Sequence, residues 1–142
     1  NSKPKKNSAE IISYGRGLAD MLSSELIILS FNIENIDALS NYGPDKILNI
    51  KNNDLIKFND QKYTDVIAQV CGSLSINHII VGGSADSKYL APSLSVKTDS
   101  SYISNVVGLP TTLDPFKLKR STYSNKAFSD VIINNSKKLI GI

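Results

Sequence analysis

The chain has 142 residues, a formal net charge of +3 at pH 7, 41% hydrophobic residues and 20% charged residues. This is the size and balance of one globular domain with enough apolar content for a core. A single cysteine, Cys71, excludes a disulfide framework and a cysteine-rich metal site, and dispersed lysines and arginines speak against a nucleic-acid groove.

No apolar run reaches the roughly 18 residues of a membrane span. Asn1–Asn7 is basic and polar with no apolar stretch behind it, unlike a signal peptide, and reads as a solvated lead-in. Ser8 is placed to cap a first helix. Ile11, Gly15, Leu18 and Leu22 carry that helix to about Ser23 at helical spacing. Glu25–Phe31, with Leu-Ile-Ile-Leu at its centre, reads as a buried strand. A short helix starting at Asn32 or Asn35 runs through Ile36 and Leu39 and is ended by Tyr42-Gly43-Pro44-Asp45. Lys46–Ile50 is a short strand. Asn52–Asn59 is a polar loop whose Leu55, Ile56 and Phe58 could cover an edge.

Asp60 caps the next helix, with Tyr63, Ile67, Val70 and Leu74 as its apolar stripe. Cys71 sits beside the stripe, which suits a buried, inert thiol better than a nucleophile. His78–Gly83, His-Ile-Ile-Val-Gly-Gly, is the segment around which the chain is organised. It reads as a buried strand ended by two glycines that permit a sharp turn. A helix follows from about Asp86 to Thr98, with Pro92 tolerable only near its first turn. Strand, glycine turn and helix make the parallel α/β unit, whose loop lies at the carboxyl edge of the sheet.

After Asp99 the pattern changes. Tyr102–Val107 reads as a strand broken by Gly108-Leu109-Pro110. Phe116–Thr122, Ala127–Ile133 and Lys137–Ile142 read as three further strands, expected as antiparallel hairpins that extend the sheet.

Chemistry-bearing patterns are few. Gly82, Gly83 and Ser84 could cradle a phosphate, because backbone amides and a helix start attract anions. Neither G-x-G-x-x-G nor the P-loop pattern is present, so a plain tight turn is the competing reading. His78 is the only histidine and starts a strand, away from the functional edge. One histidine and one cysteine build no metal constellation. The aspartates are scattered over caps and turns, and no base accompanies the serines near Ser84. No catalytic residue is assigned. Lys117 and Lys119 share one strand face with Leu118 on the other, and Arg120, Tyr123 and Lys126 cluster about a turn. That turn is either a charged hairpin edge or a surface for an acidic or phosphate-bearing partner.

Four segments, taken in order, resemble the N-terminal domain of the electron transfer flavoprotein α subunit. They are Tyr42-Gly43-Pro44-Asp45-Lys46-Ile47-Leu48; His78–Gly83 with Ser87-Lys88-Tyr89-Leu90-Ala91-Pro92; Asp114-Pro115-Phe116-Lys117-Leu118-Lys119-Arg120; and Tyr123-Ser124-Asn125-Lys126-Ala127. Ser87 and Asn125 stand where the family has glycine, and Ser93 replaces a frequent arginine.

The resemblance implies an α/β fold: a largely parallel, nucleotide-binding-type sheet (adenine nucleotide α-hydrolase-like) flanked by helices, with C-terminal antiparallel strands. It implies a single domain over 1–142, without the family's opening strand or its C-terminal FAD domain. It also implies an electron carrier rather than an enzyme. A heterodimer with a β subunit would pass electrons from flavin dehydrogenases, such as those acting on acyl-CoA, to a quinone reductase. FAD would be held mainly by the C-terminal domain, and no cofactor is expected on this chain alone. The compartment would be the bacterial cytoplasm or the mitochondrial matrix. Arg120, Tyr123 and Lys126 are the expected partner interface. An uncovered sheet edge would invite self-association. The competing function is a stand-alone adenine-nucleotide-binding domain using Gly82, Gly83 and Ser84.

Overall fold

The computed structural model describes residues 6–122, 124 and 126–142. The chain divides into two compact units, Asn1–Phe58 and Asn59–Ile142.

In the first unit, helix α1 (Lys6–Leu22) precedes strand β1 (Ile27–Phe31), a one-turn helix α2 (Asp37–Ser40) and strand β2 (Lys46–Ile50). The helix starts before the expected Ser8 cap. β1 and β2 pair in parallel from Ile27↔Lys46 to Phe31↔Ile50. Ile12, Leu18, Ala19 and Leu39 are buried. The Tyr42–Asp45 segment acts as a clasp. The Asp45 carboxylate accepts the Leu26 amide at 2.7 Å and an Arg16 guanidinium N–H at 3.0 Å. Arg16 also donates to the Gly43 carbonyl at 2.9 Å. The Leu26 amide and then Arg16 hold the Asp45 carboxyl below its usual range.

At the carboxyl ends of β1 and β2 the polar groups satisfy one another. Asn49 accepts from Ser30 at 3.1 Å and from the Ile33 amide at 3.2 Å, and donates to the Ile33 carbonyl at 2.7 Å. The Asn32 side chain accepts the Asn52 amide at 2.8 Å and donates to the Asn52 carbonyl at 2.9 Å. A 3₁₀ turn, Asn53–Leu55, then buries Leu55, whereas Ile56 is exposed.

In the second unit, helix α3 (Asp60–Leu74) is capped by Asn59, one residue before the expected Asp60; its side chain accepts the Lys62 amide. Strand β3 (His78–Val81) leads to helix α4 (Ala85–Thr98). Ser84 caps α4, and Pro92 lies inside it, beyond the first turn. α4 packs on α3, and Lys97 reaches Asp65 at 3.7 Å.

The expected strand Tyr102–Val107 is two strands, β4 (Ser101–Ile103) and β5 (Val106–Leu113). Gly108-Leu109-Pro110 does not break the strand. It lies inside β5 where the register with the next strand shifts, and Gly108 takes a φ of +74°, as a bulge favours. β5, β6 (Phe116–Thr122) and β7 (Ala127–Ile133) form an antiparallel sheet of their own.

The last strand also differs from expectation. β8 (Lys138–Gly141) is not a hairpin partner of β7. It runs parallel between β3 and β4, from His78↔Lys138 to Val81↔Gly141 and from Ser101↔Lys138 to Ile103↔Ile140. All four of its residues are buried, as a strand covered on both faces requires. The α/β class stands, with parallel strands, helices and a C-terminal antiparallel sheet. Among the described residues no helix is long and apolar enough to cross a membrane.

Phe116 joins the antiparallel sheet to the amino ends of β3 and β8. Its ring lies 5.8 Å from that of His78, and the Lys138 ammonium sits 4.7 Å over it. Such a contact contributes about 0.5–2 kcal/mol. Burial, and then the neighbouring Lys138, push the His78 pKa below 6.5. The fold therefore keeps His78 neutral while the unfolded chain takes up a proton near pH 6.5. The stability this contributes is complete above that pH and is lost as the pH falls through the lower folded value. His78→Gln should remove this dependence. Urea melts at stepwise pH from neutral to mildly acid should show the native chain losing stability more steeply than the variant.

Candidate functional site

The carboxyl ends of β3, β8 and β4 open on a cavity of about 280 Å³. Gly82 and Gly83 follow β3, Gly141 and Ile142 end and follow β8, and Ser104 and Asn105 follow β4. Tyr102 and the exposed Lys88, from the first turns of α4, complete the lining. This is the edge at which parallel sheets place ligands. The connection β3–α4–β4 passes over β8 here, so the strand order does not follow the chain order.

Two lining glycines lie close to their neighbours. A Cβ on Gly141 would lie 3.3 Å from the Tyr102 ring and 3.4 Å from the Ile103 carbonyl; one on Gly83 would lie 3.2 Å from the Ile142 carbonyl. Ser84 does not line the cavity. Its hydroxyl accepts the Ser87 amide at 3.2 Å and bonds the Ser87 hydroxyl at 2.9 Å, so it is engaged in capping α4.

The structure thus brings Gly82 and Gly83 to the expected edge and adds Lys88, Tyr102, Ser104, Asn105 and Gly141. Lys88 was visible in the motif after the glycine pair. The others come from strands whose order no local pattern reveals.

The cavity falls below the roughly 300–1,000 Å³ of sites for drug-sized ligands, and Tyr102 is its one aromatic side chain. Among the described residues no group of three or more histidine, cysteine or carboxylate side chains could hold a metal ion. The Cys71 thiol is half-buried, and burial pushes its pKa up, away from the reactive thiolate.

The expected turn cluster separates. Arg120 lies in β6 on the face of Phe116 and Leu118, half-buried, and donates to the Ser104 hydroxyl at 3.1 Å; its Nε is buried without a hydrogen-bond partner. Lys126 is exposed in the turn. Tyr123 lies outside the described residues.

The opposite face of this sheet is different. The register places Lys117, Lys119, Val107, Phe128, Asp130 and Ile132 together there. Val107, Phe128 and Ile132 are 44%, 59% and 50% exposed, whereas Leu118, on the inner face, is fully buried.

Gly141→Ala should cost about 1–3 kcal/mol through overpacking against Tyr102 and the β4 carbonyl. The cost should shrink in a Tyr102→Ala background, because the ring is then gone. Denaturant melts of the four proteins in this cycle measure the coupling.

The comparisons with known proteins agree with this architecture. The family model described as the electron transfer flavoprotein domain matches residues 1–142. The chain is 27% identical over 124 residues to the electron transfer flavoprotein subunit alpha of Bacillus subtilis (strain 168), covering 87% of this chain and 38% of that protein. It is 29% identical over 97 residues to Protein FixB of Clostridium saccharobutylicum, covering 67% of this chain and 29% of that protein. The chain therefore spans well under half the length of these curated relatives. With its full length matched and its parallel and antiparallel sheets in place, the chain belongs to the electron transfer flavoprotein domain family.

Proposed function

We propose that this chain is the structural and interaction domain of an electron transfer flavoprotein α subunit. Paired with a β subunit, the complete protein would carry electrons from flavin dehydrogenases, such as those acting on acyl-CoA, to a quinone reductase. FAD would belong to the complete protein and be held mainly outside this domain. A carrier domain needs no catalytic group of its own.

One observation carries the reading. The outer face of β5–β6–β7 leaves Val107, Phe128 and Ile132 in water beside Lys117, Lys119 and Asp130. Apolar side chains grouped on one face and rimmed by charge mark a protein-binding surface. The β subunit would dock on this face and on the adjoining turn, where Lys126 is exposed and where Arg120 and Tyr123 were expected to contribute. Arg120 would contribute by holding the sheet to Ser104.

Phe128→Asp tests the docking. The exposed ring leaves the fold intact when replaced, but a carboxylate in a desolvated contact costs about 2 kcal/mol or more. Co-purification of the complete α subunit with its β subunit should fall at least tenfold, and Lys126→Glu should weaken it less. Unchanged recovery with both variants would refute the docking face.

A further inference from the structure

We propose that the exposed side of α4 joins this chain to a second copy of itself, as an antiparallel helix pair about a two-fold axis. The contact is separate from the outer face of β5–β6–β7.

Helix α4 is apolar on two sides. Its inner side buries Leu90, Ala91 and Leu94. A surface helix normally turns polar residues outward, as α3 does with Gln61, Asp65 and Gln69. α4 instead exposes Ala85, Tyr89, Pro92 and Val96, with Tyr89 73% and Val96 84% exposed. These four recur at alternating spacings of four and three residues, which sets them in one stripe along the helix. A helix that is apolar all round is a buried helix. The stripe is also inexpensive to bury: alanine and proline lose no rotamer freedom, valine is stiff, and tyrosine brings a large rigid surface.

The charges beside the stripe identify what covers it. One flank carries Asp86 near the amino end and Lys97 near the carboxyl end; the other carries Lys88 and, at the carboxyl cap, Asp99. All four are exposed, and the members of each pair stand about three turns apart. An antiparallel two-fold pair sets the first turn of one helix beside the last turn of the other, with like flanks together. Asp86 then faces Lys97 of the second copy, Lys88 faces Asp99, and each pairing occurs twice. Pro92 lies near the axis. This is the self-complementarity that an isologous contact requires. The opposed helix dipoles favour the same arrangement, whereas a parallel pair would bring like ends together.

Lys97 also meets Asp65 of α3 at 3.7 Å, but both side chains are more than half exposed, so its ammonium is open to a second carboxylate. One helix pair is smaller than a standard protein interface, so the dimer should be weak and concentration-dependent.

The test is sedimentation velocity over a dilution series, on this chain and on the complete α subunit bound to its β subunit. The chain should pass from monomer to dimer, and the complex should double. In the chain, Tyr89→Glu should weaken association at least tenfold without unfolding it, because the ring is in solvent. Asp86→Lys should also weaken it, and adding Lys97→Asp should restore it, since the exchanged charges again face each other. Phe128→Asp, on the sheet face, should leave it unchanged. A single copy at every concentration would overturn the proposal. So would a chain that pairs while the complex stays single, which would show that the rest of the complex covers α4. Association that survives Tyr89→Glu, or a double charge exchange that fails to restore it, would overturn it as well.

Discussion

The second unit depends on one strand arriving late. β8 is the last element of the chain, yet it lies between β3 and β4 and hydrogen-bonds to both. Neither neighbour pairs with the other. Without β8 the two are single strands on either side of a gap, and a lone strand is not stable in water. Leu139 and Ile140 are fully buried, and burial of two such side chains contributes about 3–6 kcal/mol. The same insertion shapes the cavity, because Gly141 and Ile142 line it together with residues that follow β3 and β4.

The antiparallel sheet is an excursion made between β4 and β8, and its two faces do different work. The inner face carries Phe116 and Leu118, which are buried, and Arg120, which reaches Ser104. Phe116 lies against His78 and beneath Lys138, so the excursion is anchored at the amino ends of the two strands that β8 brings together. Lys138 is a buried cation whose ammonium donates a long bond, 3.4 Å, to the Ser136 carbonyl, and burial pushes its pKa down. The aromatic face of Phe116 offsets part of that desolvation. The outer face keeps Val107, Phe128 and Ile132 exposed.

Much of this was legible from residue order. The run His-Ile-Ile-Val before two glycines could be read as a strand and turn because β-branched residues and a glycine pair leave few alternatives. The alternation of Lys117, Leu118 and Lys119 separated the two faces of β6. β8 was recognised as a strand but placed in the wrong sheet. A four-residue apolar run has no period to separate a buried parallel strand from an edge strand, and only the gap between β3 and β4 decides its place. Gly108-Leu109-Pro110 looked like a terminator because glycine and proline usually punctuate strands; in β5 they form a bulge. Of the residues lining the cavity, the motif singled out Gly82 and Gly83. Tyr102, Ser104, Asn105 and Gly141 were not singled out, since they join the cavity only through the β3–β8–β4 order. Arg120 was read within the strand Phe116–Thr122 and grouped with Tyr123 and Lys126 about the turn; strand alternation puts it on the face of Leu118, where it reaches Ser104.

The central claim is that this domain is a scaffold that binds a partner, with the flavin held elsewhere. It is tested most directly by a visible absorption spectrum of the purified chain. The same spectrum is then taken with a β subunit and the further α-subunit region that the longer relatives carry. A chain colourless by itself, with flavin bands appearing only in the assembled complex, is the expected result. A chain that purifies with bound flavin on its own would contradict the claim and place the flavin within this domain.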